Sequence, residues 1–145
     1  MKKIEWDETL KVDIPEIDEL QKKMFALINA LIDLNESNAE GKECANMISE
    51  ISEYSKYYFS IEEEYLKTNK YPEFTEHCKK HRKFETFVME LRRQVADDKS
   101  NLSSDVINNL KDLLMDHLKT LDSRYIPFLR INNFIGKYEK KSKAN

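Results

Sequence analysis

Apolar residues recur at intervals of three and four along four separate stretches of this chain, and little interrupts them. That spacing gathers the apolar side chains on one face of an α-helix. The first stripe is Ile17, Leu20, Met24, Leu27, Ile28, Leu31 and Leu34, and the second is Cys44, Met47, Ile48, Ile51, Tyr54, Tyr58, Tyr65 and Leu66. The third is Phe74, Phe84, Val88, Leu91 and Val95, and the fourth is Val106, Ile107, Leu110, Leu113, Leu114, Leu118, Leu121 and Tyr125. The 145 residues include only two glycines and three prolines, and 35% of them are charged. Such a chain suits long helices with solvated outer faces and suits strands badly.

The breaks set the boundaries. Residues 1–15 form an arm that contains Trp6. Pro15 belongs in a first helical turn, where its missing N–H costs nothing. The pattern predicts helices over about 16–37, 42–69, 72–97 and 104–127. Asn38 to Gly41 breaks the first, and Asn69 to Pro72 ends the second, since proline disfavours a helical residue before it. Ser103 or Ser104 can cap the fourth, with Asp105 favourable at its positive end. Pro127 is expected to kink or end that helix, leaving 128–145 as a tail or short extra helix. Four such helices with short connections bury their stripes best as an up-down-up-down bundle, so the expectation is one all-α domain over 1–145.

Charge and composition narrow the function. A net charge of −3 argues against a surface that neutralises nucleic-acid phosphates. The lysines from Lys137 to Lys143 read as a solvated tail. No apolar run is long enough for a membrane span, and none near the start suits a signal peptide. Cys44 and Cys78 fall on different helices and read as reduced thiols. The expectation is a soluble, cytoplasmic protein.

Some inward-facing residues do not belong in an ordinary core. Glu62 lies between Tyr58 and Leu66 on the second stripe. An unpaired carboxylate there costs several kcal/mol. Its neighbours Glu63 and Glu64 are expected to rotate outward. His77 and His81 lie one turn apart in line with Phe84 and Val88, and His117 lies in line with Leu110, Leu114 and Leu121. A single buried histidine is usually a satisfied core residue. Here all three histidines of the chain fall on inward faces. Neutral imidazoles converging with a carboxylate in a dry core is the chemistry of a transition-metal site. Asp122 sits about 100° around from the centre of the fourth stripe, so periodicity leaves it between core edge and water.

These residues sit in segments that resemble a known family. IPEID at 14–18 with KKMF at 22–25, YYFSIEEEYL at 57–66, YPEFTEHCKKHRKF at 71–84 and HLKTLDSRY at 117–125 resemble, in order, the four helices of bacterial hemerythrins. The resemblance covers nearly the whole chain and includes Trp6. It implies a bundle that holds two irons and binds dioxygen reversibly. It implies His77, His81 and His117 as ligands of one iron, and Glu62 and Asp122 as bridges. At the two histidine positions of the second, oxygen-binding iron this chain has Gln21 and Tyr58.

Four readings follow. In the first, a binding protein holds one metal, iron or zinc, and Gln21 and Tyr58 fill the vacated volume with hydrogen bonds. In the second, Tyr58 and Gln21 ligate a second iron and the chain is a redox enzyme. The third is an oxygen carrier or sensor, and the fourth a metal-free bundle. The expectation is the first: a non-haem metal-binding protein with metal ions, and at most a small diatomic such as dioxygen, as partners. It is not expected to carry oxygen reversibly or to be an enzyme.

Overall fold

The computed structural model describes residues 2–39, 41–97 and 103–132. Four α-helices dominate: α1 is Pro15–Glu36, α2 Gly41–Thr68, α3 Phe74–Asp97 and α4 Ser104–Asp116. α2 packs against both α1 and α3, and α4 closes the ring against α1 and α3. The result is the up-down-up-down four-helix bundle. The core holds Ile17, Met24, Ile28, Leu31, Ile48, Ile51, Val88 and Leu114, all with no exposed surface. Each such side chain contributes about 1.5–3 kcal/mol on burial. No helix among the described residues is long and apolar enough to cross a membrane.

The connections follow the sequence signals. Pro15 opens α1 at its first turn. Just past the end of α1, Asn38 takes a positive φ of 54°. Asparagine tolerates that left-handed conformation, and Ala39 N–H then bonds back to Leu34 O at 2.9 Å. Lys70 does the same after α2, with φ 56° and Tyr71 N–H bonded to Leu66 O at 2.9 Å. Ser103 caps α4, accepting from Val106 N–H at 3.3 Å.

The fourth helix departs from expectation. After α4 the backbone widens into a π-helical turn, His117–Asp122, and resumes as helix over 123–132. Pro127 therefore does not end the helix, and residues 128–132 are helix rather than tail. Ser123, whose carbonyl loses its partner, and Pro127 are both exposed, so water can satisfy that carbonyl. Tyr125 and Leu129, one turn apart, stay buried and hold the segment to the core. The lysines from 137 to 143 lie outside the described residues.

The arm is part of the core. Ile4, Leu10 and Val12 are buried. Ile4 N–H donates to Asn29 Oδ1 at 2.9 Å, and Asn29 Nδ2 donates to Ile4 O at 2.8 Å. Val12 N–H donates at 2.8 Å to the buried carboxylate of Asp18. These bonds lay the arm along α1.

Candidate metal centre

Three segments meet at one point in the bundle. α2 contributes Glu62, α3 contributes His77 and His81 from consecutive turns, and the π-helical turn contributes His117. All four are buried. One nitrogen from each imidazole and one Glu62 oxygen lie within 4.8 Å of one another. His77 Nε2 stands 2.6 Å and His81 Nε2 2.9 Å from Glu62 Oε1, and His117 Nε2 3.9 Å from the same oxygen. Metal–ligand distances near 2.1 Å put neighbouring ligand atoms roughly 3 Å apart and opposite ones roughly 4 Å apart. The cluster thus has the composition and the size of a metal-binding group.

The surroundings hold it in place. Phe59 stacks flat on His81, with ring centroids 3.9 Å apart and planes 7° from parallel. Tyr125 O–H donates to Glu62 Oε2 at 3.1 Å, so both oxygens of the carboxylate are engaged. Tyr71 meets His77 edge-on at 6.5 Å. Burial by itself would raise the Glu62 carboxyl, but the imidazoles around it outweigh burial and hold it well below the usual carboxylate range. A small cleft of about 130 Å³, lined in part by Tyr71, Lys80 and Arg124, reaches His77 from outside.

Gln21 and Tyr58 are also inside. Gln21 is 1% exposed and Tyr58 fully buried. Trp6 Nε1–H donates to Gln21 Oε1 at 2.9 Å, and Gln21 Nε2 is buried without a hydrogen-bond partner among the described residues. Tyr58 packs against Phe59 at 5.2 Å and Tyr54 at 6.5 Å between ring centroids. The Asp122 side chain lies outside the described residues; its backbone closes the π-helical turn.

A family model, the hemerythrin HHE cation binding domain, matches residues 12–129. The chain belongs to the hemerythrin family. A hemerythrin-like protein of Naegleria gruberi is 31% identical over 120 residues, covering 83% of this chain and 88% of that one. A myohemerythrin of Theromyzon tessulatum is 30% identical over 121 residues, covering 83% and 89%. A bacteriohemerythrin of Stenotrophomonas maltophilia is 24% identical over 92% of this chain and 88% of its own. A crystal structure of wild-type hemerythrin superposes with a TM-score of 0.78 at 20% identity, covering 86% of this chain and 95% of that one, a likeness of fold. Within this chain the cluster of one glutamate and three histidines occupies the bundle interior, between α2, α3 and the turn after α4.

Sequence reasoning misjudged one residue and overlooked others. Glu63 was expected to face water, yet its side chain is only 14% exposed and reaches His81. α2 is flanked by α1 and α3, so a residue beside Glu62 falls in the α2–α3 seam, where a long carboxylate can turn back toward α3. Glu64 is exposed, as its position on the helix demands. Phe59 was absent from the second stripe because it follows Tyr58 directly. A helix packed on two sides buries a face wide enough for both, and the aromatic run YYF was the available sign. The roles of Tyr125 toward Glu62 and of Trp6 toward Gln21 leave no mark in a periodic pattern.

Proposed function

We propose that this hemerythrin holds a single metal ion on Glu62, His77, His81 and His117, with Asp122 as a further ligand, and that it does not carry dioxygen reversibly. Iron is the ion the family supports; zinc suits three imidazoles and a carboxylate oxygen equally well by coordination preference. The observation that carries the reading is the bond between Trp6 and Gln21. An indole N–H can only donate, so the end of the Gln21 amide turned toward it is the oxygen. The end left in the core is an NH2 group, which has no lone pair available for a metal. At this position, where the resemblance puts a histidine, α1 therefore brings a hydrogen-bond donor and no ligand.

Tyr58 fits the same account. A neutral phenol packed between Tyr54 and Phe59 fills volume. As a phenolate it would be a hard anion favouring ferric iron, which opposes a ferrous pair that must take up and release oxygen. Iron would supply Lewis acidity and redox capacity and zinc Lewis acidity alone, while the chain would supply a dry cage whose carboxylates balance the charge of the ion. The reading keeps the cytoplasmic setting expected from the sequence, with metal ions as partners and binding rather than catalysis as the role.

The test is anaerobic loading with ferrous iron, metal analysis, exposure to air and then evacuation. One iron per chain and no spectrum that appears with air and vanishes under vacuum is the expected result. Two irons per chain with a phenolate-to-iron absorption band would replace this reading with a dinuclear redox site using Tyr58. A reversible oxygenated spectrum would overturn the claim about carriage. The double change Gln21→His with Tyr58→His restores two neutral nitrogen donors without added bulk and is expected to raise the content to two irons and to confer oxygenation. A double variant that binds two irons and never oxygenates would contradict that expectation.

A further inference from the structure

Beyond the four clustered side chains, a chain of ionic contacts runs from His81 to the surface. His81 Nε2 faces Glu62, while His81 Nδ1 lies 3.0 Å from Glu63 Oε2. Arg82 grips Glu63 with one guanidinium nitrogen, at 2.7 Å to Oε1 and 3.1 Å to Oε2. Its other nitrogen is pinned to Glu85 Oε2 at 2.8 Å. Glu63, Arg82 and Glu85 line an open cleft of about 780 Å³ on the outer side of α2 and α3. Nothing in the proposed ligand set requires Glu63, and an outward glutamate has no reason to be held by both His81 and Arg82.

The geometry has a chemical consequence. A neutral imidazole carries one N–H, and the nitrogen that keeps it cannot bind metal. A carboxylate can only accept a hydrogen bond, so Glu63 at Nδ1 demands the proton there. Glu62 asks the same of Nε2 while the ring is free of metal. An ion held by Glu62 would take the place of that proton, so with Nδ1–H kept by Glu63 the ring offers its lone pair from Nε2, the nitrogen aimed at the cluster. Arg82 and Glu85 stop Glu63 from swinging into the cleft, and Phe59 stacked on the ring stops rotation about the ring plane. We propose that Glu63 is the positioning residue of the site: it fixes the tautomer and orientation of His81, and Arg82 holds Glu63 in that role. The inference rests on the reading of His81 as a metal ligand.

Partners of this kind change metal affinity by about 10–100-fold. The first measurement is zinc affinity of the full chain by competition with a chromophoric chelator. Glu63→Ala is expected to weaken zinc binding within that range. Glu63→Gln, which keeps an acceptor oxygen but loses the charge, is expected to fall between wild type and Glu63→Ala. Arg82→Ala is expected to give a smaller loss in the same direction, and Arg93→Ala, an exposed residue paired with Glu90, none. The second measurement separates positioning from folding and needs no metal. Nitrogen-15 shifts of His81, recorded on the metal-free protein, should report a protonated Nδ1 in wild type and, in Glu63→Ala, an unprotonated Nδ1 with the proton on Nε2 facing Glu62. Equal zinc affinity in wild type and Glu63→Ala would overturn the proposal, as would identical His81 shifts in the two. A wild-type chain that binds neither zinc nor iron would instead refute the metal reading, leaving the shift experiment to judge Glu63 alone.

Discussion

His81 is where three contacts meet: a carboxylate at each ring nitrogen and the face of Phe59 against the ring. With its Nδ1 proton held by Glu63, such a ring can offer a lone pair only from Nε2, where an ion would replace the proton shared with Glu62. Tyr58, next to Phe59 on α2, shows the opposite logic. It has the chemistry of a ligand, but it is embedded among aromatic rings, and the proposed ligand set does not include it. We therefore expect Tyr58→Phe to leave the ferric protein's visible spectrum and helix content unchanged, measured by absorbance and far-ultraviolet circular dichroism. A coloured wild type that bleaches in this variant would identify the phenol as a ligand. The inward place of the histidines was legible from spacing, because a helix repeats its faces regularly. Which nitrogen each offers, and to what, was not, because that depends on side chains from other helices.

Between elements, polar contacts fix how the helices stand against one another. Tyr54 on α2 donates to Leu20 O on α1 at 2.8 Å, and burial pushes its phenol up to about 12. Its ordinary value is 10.0, so between there and about 12 the folded state keeps a proton that the unfolded state releases. This contribution is complete below the unfolded value and is lost as pH rises through that window. Alkaline unfolding should accordingly show a falling limb that flattens in Tyr54→Phe, which at neutral pH loses about 0.5–1.5 kcal/mol for the missing bond. A limb of the same slope in the variant would assign it to another group. The turn after α2 offers a second check. Lys70 takes a left-handed φ that its Cβ disfavours, and the end of α2 needs that conformation. Lys70→Gly is expected to stabilise the fold by roughly 0.5–1 kcal/mol in urea unfolding. The positions of these turns could be read from Asn38 and from Asn69 to Pro72, but the π-helical turn at 117–122 could not. Periodicity assumes a constant rotation per residue, and a π-turn breaks that assumption.

For the whole molecule, the cluster ties α2, α3 and the segment after α4 together at one point. A bound ion stabilises whatever state holds its ligands in place, and the unfolded chain does not. Chelation is therefore expected to lower the melting temperature, and His81→Ala to lower it and to abolish the difference between metal-loaded and metal-free samples. At a ligand concentration 100 times the dissociation constant the difference corresponds to about 2.7 kcal/mol. Calorimetric curves that coincide with and without chelator would show that the site is not holding the bundle together. The arm extends the same argument along α1, since Trp6 in the arm decides which end of the Gln21 amide faces the core.

The amino-acid sequence by itself determined the number of helices, their inward faces and the convergence of a glutamate with three histidines. Those features follow from a local repeat, and an amphipathic helix has only one way to bury its stripe. The tertiary structure alone decided that Glu63 turns back to His81, that Phe59 lies flat on that ring, that Tyr125 takes the second oxygen of Glu62, and that Trp6 claims the oxygen of Gln21. Each of these joins residues from different elements across distances in sequence that no repeat encodes. Hydrogen-bond donors and acceptors find their partners only after packing has brought the elements together, because in a dry core each group must use what its neighbours offer.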